Sequence, residues 1–337
     1  MLYWLKRIGL AIVALVVLVF AGGVSYEVYA RHQARVEFQP RGRMVEIGDR
    51  RIHLDCRGQG APTVLFEAGL DTYGSLAWSA VHDEVASFTR ACAYDRAGIL
   101  WSDPKQSAQH ADAAADDLHA TLAAAGEHGP FVLVGHSLGG VYVLDYTRKF
   151  GNQVAGLVFV DASHPDQNRR LRAGGFGRLT QPASSMAVFL STLTWTGWTR
   201  LLSNGEAMPN LSARAEAASR AYASTSMPAA ISEAISLDRS FGDIGAFRNL
   251  GSRPLVVLTA MQPLPDAMLK SMNMTPSDGL GVRAIWKALH DDEATWSSRS
   301  RHQLVPDSTH YIQFVRPQVV IAAVREVVED VRQGDAG

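Results

Sequence analysis

Apolar residues are spaced differently along the chain, and each spacing predicts a different element. Ile8 to Val24 contains no charged or strongly polar residue, and Leu2 to Leu5 extends that character upstream of Lys6 and Arg7. A stretch with no polar face and about the ~20 residues a bilayer requires predicts a membrane-spanning helix rather than a core helix. From Met44 the pattern changes to short β-like stretches punctuated by Gly, Pro and Asp. Met44–Ile47 and Arg51–Asp55 flank Gly48-Asp49, a hairpin signal. Thr63–Phe66 and Ala91–Tyr94 are short strands, and Ala111–Ala125 has helical composition. Phe131–Val134, Gly156–Val160 and Pro254–Leu258 are continuously apolar, as parallel strands covered on both faces are. A hairpin followed by alternating strands and helices predicts an α/β fold, a mostly parallel sheet sandwiched between helices.

Ser163 to about Leu250 interrupts this alternation. The segment is rich in Ala, Ser, Arg and Leu, with helical periodicity in Ala213–Ala223 and Ala229–Leu237 and an aromatic segment from Phe189 to Trp198. It reads as a helical insertion over the C-terminal edge of the sheet, where open α/β sheets bind ligands. A helix around Gly281–Leu289, a strand near Gln303–Pro306 and a final helix Pro317–Arg332 follow. The organisation expected is therefore residues 1–35 as membrane anchor and linker, 36–162 as the first part of the core, 163–250 as a helical lid and 251–337 as the second part. The folded pattern begins near Met44, so a fragment starting after about Arg35 is expected to fold without the anchor.

Composition narrows the function. The chain has 337 residues, 47% hydrophobic, with 32 Lys and Arg against 33 Asp and Glu. That balance supplies no field to gather nucleic acid, and a small or neutral substrate is the default. Two cysteines exclude a disulfide framework and a four-cysteine zinc site. Lys6 and Arg7 predict a cytoplasmic start with the remainder exported, although Arg31 and Arg35 weigh the other way. A cleaved signal peptide is the rival, with small residues near Val28-Tyr29-Ala30, but the apolar stretch exceeds the usual ~7–15 residues of such a signal.

The chemistry centres on Phe131-Val132-Leu133-Val134-Gly135-His136-Ser137-Leu138-Gly139-Gly140, a strand running into G-x-S-x-G and then a helix. That turn projects a serine above the sheet at strained dihedrals, with glycines where side chains would collide. On these residues the chain resembles the α/β-hydrolase superfamily, in particular its membrane-anchored or exported esterase-like members, from about Met44 to Arg332. Tyr94-Asp95-Arg96-Ala97-Gly98 with Trp101-Ser102-Asp103 is similar to the family's loop after its fourth strand; Leu100 stands where a Gly is common. The resemblance implies an eight-stranded sheet with Ser137 as nucleophile. Asp95 and Arg96 read as a clamp on that loop rather than as catalysts.

His310, in Asp307-Ser308-Thr309-His310-Tyr311-Ile312, follows the nucleophile in chain order and is the candidate base, since imidazole both takes and returns a proton near neutrality. Two acids compete. Asp161 ends the strand Gly156–Val160, and Asp266 lies in the Pro-flanked loop after Pro254–Leu258; Asp161 is favoured because strand ends are better fixed than loops. The resemblance places the oxyanion donors at the amides of Leu138 and Leu70. It also makes the strands bearing Cys56 and Cys92 neighbours, so that export favours a disulfide over two buried thiols. His110, Asp112, Asp116, Asp117 and His119 read as a solvated helix face; Asp161, His164 and Asp166 have the chemistry to chelate, but the catalytic role explains Asp161 better, so neither metal nor cofactor is expected. The function expected is ester hydrolysis on a small or medium-sized substrate. Aminopeptidase, thioesterase and lactonase activities use the same triad, and a non-catalytic binding role is the alternative of another class. Epoxide hydrolase and haloalkane dehalogenase chemistry is disfavoured, because those relatives use an Asp at the position of Ser137.

Overall fold

The computed structural model describes residues 2–202 and 208–334. Residues 203–207 of the expected lid and 335–337 of the expected second core segment lie outside the described residues. The strands are β1 (Arg43–Ile47), β2 (Arg50–Arg57), β3 (Thr63–Glu67), β4 (Ala91–Tyr94), β5 (Phe131–His136), β6 (Val154–Val160), β7 (Leu255–Ala260) and β8 (Ser300–Val305). Among the described residues they form one eight-stranded sheet in the order β1-β2-β4-β3-β5-β6-β7-β8. β1 and β2 pair antiparallel across a two-residue turn at Gly48-Asp49, β2 pairs antiparallel with β4, and every other pairing is parallel. Helices cover both faces of the sheet.

Period-two alternation explains the layers. Leu65, Phe131 and Leu133 face one side and pack with the helices Ala111–Ala125 and Leu138–Phe150. Val64, Phe66, Val132 and Val134 face the other, against the final helix Pro317–Gly334. That helix buries Val320, Ile321, Val324, Val327, Val328 and Val331, the i, i+3, i+4, i+7 stripe of an element lying on a sheet. All residues of β3, β5 and β7 are buried, which accounts for their continuous apolar character.

The segment between β6 and β7 is helical, and its longest helix, Ala213–Ile235, differs from expectation. The two helical stretches expected, Ala213–Ala223 and Ala229–Leu237, are joined through Pro228, although an interior proline removes an amide donor and crowds the preceding turn. The helix continues through Pro228 because buried polar attachments hold it on both sides. Ser224 donates to Glu27, Ser226 accepts from the Leu100 amide, and Glu233 binds Arg96.

The N-terminal helix Leu2–Glu37 is long and apolar enough to cross a membrane, by length and composition. Its first part is exposed along its apolar length, but its second part packs on the domain: Glu27 is buried, and Ala34 joins a cluster with Ile99, Leu100 and Tyr222. A cut after Arg35 therefore strips packing from the helical insertion, a contact that the expectation of a fragment folding without the anchor did not include.

Cys56 and Cys92 face each other in the β2–β4 register and form a disulfide across 36 positions of sequence. Closing a loop of that length stabilises by about 2–4 kcal/mol. Mass spectrometry of the native protein should find no free thiol, and reduction should lower the urea midpoint by a corresponding amount. Two free thiols in the native protein would contradict the bridge.

Candidate active site

The tips of neighbouring parallel strands build the site. β5 ends in His136, and Ser137 caps the helix Leu138–Phe150 at φ 51° and ψ −126°, a conformation side-chain-bearing residues seldom adopt. The turn closes tightly enough that a Cβ on Gly139 would lie 2.4 Å from the Glu67 carbonyl oxygen. The Ser137 amide donates to the Val160 carbonyl (3.3 Å), and the Ser163 amide donates to the Ser137 carbonyl (2.8 Å). The elbow is thereby sewn to the end of β6.

Asp161 follows β6 directly, also at positive φ (43°), and its amide donates to the Leu258 carbonyl of β7 (2.8 Å). Its side chain is fully buried. One carboxylate oxygen accepts the Ala260 amide at 2.8 Å, and the other accepts Nδ1–H of His310 at 2.6 Å. Burial works to raise the Asp161 carboxyl, but the hydrogen bond and charge of His310, with His290 and the Ala260 amide, hold it below the usual carboxylate range. Asp266, the other candidate acid, is exposed in the first turn of the helix Asp266–Ser271. With Nδ1 engaged, His310 keeps Nε2 as an acceptor, and its side chain is 36% exposed, so the imidazole remains reachable. His136 donates from Nε2 to the His310 backbone carbonyl (3.0 Å) and so steadies the loop behind it. Burial lowers its pKa to about 3 and keeps it neutral.

Leu138 begins its helix, so its amide is among the donors that such a helix leaves without an internal partner. Leu70 lies in the loop after β3. A Cβ on the preceding Gly69 would reach 2.9 Å from Cβ of Ser137, which shows how closely that loop approaches the elbow.

Sequence reasoning treated Arg96 as a turn clamp and missed the network around it. Its guanidinium donates to Glu67 (2.6 Å), to both oxygens of Glu233 (2.8 and 2.7 Å), and to the carbonyls of Ala68 (2.8 Å) and Gly69 (2.7 Å). These bonds use its five donors. Tyr94 completes the set by donating to Glu67, and the Tyr142 ring lies 4.8 Å from the guanidinium. Burial raises the Glu67 carboxyl, against the opposing pull of Arg96 and the Tyr94 hydroxyl. The available signal was a glutamate ending a buried strand, Glu67, but Glu233 is remote in sequence and only the fold brings it in. Asp95 acts as the expected clamp: it accepts the Ser75 amide (2.6 Å) and pairs with His53 (2.7 Å). Leu100, at φ 45°, takes the left-handed conformation that a glycine there would adopt freely.

The acidic helix face is occupied by ion pairs. His110 meets Asp243 at 2.7 Å, and Lys149 meets Asp112 at 2.8 Å and Asp116 at 2.7 Å. Lys105 meets Asp117 at 3.1 Å, and His119 stacks on Phe150. His164 is turned from Asp161 toward Asp292 (2.9 Å). Among the described residues one group has metal-ligand spacing, Cys56, Cys92 and Glu127, and its sulfurs are spent in the disulfide.

The model of the alpha/beta hydrolase family matches residues 18–323. An esterase from Thermogutta terrifontis superposes with a TM-score of 0.58 at 18% identity, covering 87% of this chain and 99% of that one. Est816, an N-acyl homoserine lactone degrading enzyme, superposes with a TM-score of 0.55 at 18% identity, covering 84% and 99%. An uncharacterized protein of Schizosaccharomyces pombe is 32% identical over 139 residues, 33% of this chain and 26% of its own length. The chain thus spans about a quarter of that relative.

Replacing Arg96 by Met leaves Glu67 and Glu233 buried without a counter-charge, which should cost about 3–5 kcal/mol of stability. Lysine cannot reproduce the fork and should recover only part. Denaturant unfolding measures both, and an R96M midpoint equal to that of the wild type would show that the network holds nothing.

Proposed function

The chain belongs to the alpha/beta hydrolase family, and we propose that within it this protein is a serine hydrolase cleaving small or medium-sized carboxylic esters by acyl transfer. The observation that carries this reading is the 2.6 Å bond from Nδ1 of His310 to the buried carboxylate of Asp161, beside a Ser137 held at φ 51° on a strand-to-helix elbow. Ser137 Oγ attacks the carbonyl carbon while Nε2 of His310 takes its proton, and Asp161 stabilises the resulting imidazolium. The amides of Leu138 and Leu70 receive the oxyanion, a contribution of about 10²–10³ in kcat per donor in comparable sites. Collapse of the tetrahedral intermediate expels the alcohol, protonated by His310. Water then repeats the sequence on the acyl-serine and releases the acid.

The helical insertion between β6 and β7 acts as the lid that selects the acyl group, so 36–162 and 251–337 make the core and 163–250 the specificity element. The N-terminal helix anchors the protein with its catalytic domain outside the cytoplasm. Its apolar length and the Cys56–Cys92 bridge, which belongs to oxidising compartments, both support that placement. Lactone opening uses the same steps with the leaving alcohol still tethered, and the lactone-degrading structural neighbour keeps that reading in play.

A fluorophosphonate probe should label the protein at Ser137, and S137A should abolish the label. D161N should lower kcat by about 10⁴ with the fold intact, since the imidazole loses its orienting acceptor, whereas D266N should stay within about twofold because Asp266 is exposed. Full turnover by D161N would sink the assignment of the acid, and absence of labelling in the wild type would favour a binding role.

A further inference from the structure

The N-terminal helix and the helical insertion meet where the apolar stretch of the helix ends. The Phe20 and Trp195 rings pack edge to face at 5.8 Å, and a Cβ on Gly23 would lie 2.4 Å from the Thr196 carbonyl oxygen. One turn later the contact becomes polar. Glu27, only 1% exposed, accepts from Arg31 (2.8 Å), from Arg200 (2.9 and 3.1 Å) and from the Ser224 hydroxyl (2.9 Å). The insertion is therefore fixed to the helix at a set height.

At that height the insertion exposes large apolar side chains, with Trp195 50% and Trp198 43% accessible. The helix Ser185–Thr192, which leads into this contact, exposes Met186, Phe189 and Leu190 at i, i+3 and i+4, on one face. A contiguous apolar face on a monomer marks a partner surface. The spacing along the helix identifies the partner. Tyr3 and Trp4 lie near the other end of the apolar stretch, with the Arg7 guanidinium 4.4 Å from the Tyr3 ring. From Trp4 to Tyr26 the helix rises about 33 Å, close to the ~30 Å hydrocarbon core of a bilayer. Trp and Tyr concentrate at both membrane–water interfaces, so Trp195 and Trp198 stand level with the second interface.

We propose that the face formed by Met186, Phe189, Leu190, Trp195 and Trp198 is a lipid-binding surface, seated in the headgroup layer of the membrane that the N-terminal helix crosses. The Glu27–Arg200–Ser224 contact holds it there, so the insertion lies on the bilayer like an interfacial helix rather than swinging free of it. The inference rests on the reading of the N-terminal helix as a membrane anchor and is independent of the hydrolytic reaction.

The full chain, reconstituted in phosphatidylcholine vesicles with acyl chains brominated near the headgroup, tests this by tryptophan fluorescence. W195F/W198F keeps the face apolar and removes two emitters; an unchanged circular dichroism spectrum and thermal midpoint report that the variant is folded. Of the strongly exposed tryptophans, only Trp4 would then remain at an interface, so bromolipid quenching should fall by roughly two-thirds, while aqueous iodide should quench wild type and variant alike. Equal bromolipid quenching in both, with iodide reaching Trp195 and Trp198, would overturn the proposal and leave the face in water. Shielding of the two residues from both quenchers in a self-associated protein would also overturn it, in favour of a second copy as the occupant. Extraction of the full chain from the vesicles by alkaline carbonate would instead overturn the anchor on which the proposal stands.

Discussion

A buried guanidinium governs how this molecule is assembled. Arg96 leaves β4 into the interior and bonds the carboxylate that ends β3, the carbonyls of the loop after it, and a glutamate from the long helix of the insertion. Buried ions are costly unless fully paired, so these segments must arrive together or not at all. The arrangement couples a local choice to a distant one. The loop carrying Leu70 is held against the elbow by the same group that holds the insertion over the sheet.

The elbow and the acid share a second constraint. Ser137 and Asp161 sit at the ends of adjacent strands, each in the left-handed region without being glycine. Such conformations cost on the order of 1–3 kcal/mol each and persist only when surrounding bonds over-determine them. Here the bonds are visible: the Ser137 amide to Val160, the Asp161 amide to Leu258 and the Ser163 amide to Ser137. Strain at one strand tip is braced by the next, which suits a site whose parts must hold a fixed geometry.

The sequence made the strands legible because burial on both faces writes continuous apolar stretches, and Ala91–Tyr94 and Ala111–Ala125 coincide with observed boundaries. Ser137 and His310 were legible as candidates because each occupies a strand-to-helix or loop position with its own local grammar. Asp161 had a rival in Asp266, and the bond that distinguishes them spans 149 positions of sequence. The Arg96–Glu233 pair spans 137 and had no local signature at all. The unbroken helix through Pro228 has a related cause: the proline penalty is local, whereas the contacts that override it come from Glu27, Arg96 and Leu100, all distant in sequence.

The carboxylate that meets His310 comes from the end of β6 and not from the connection after β7. Gln262 to Pro265 is tied mainly through the Gln262 amide, which donates to the Ser308 carbonyl at 3.1 Å, and the helix it leads to is largely exposed. That makes the connection the natural place for the chain to accept foreign sequence, whether a duplicated module, a reporter inserted in frame or new termini from circular permutation. Descendants of this architecture can lengthen there and change their associations while the elbow and the Asp161–His310 pair stay as they are.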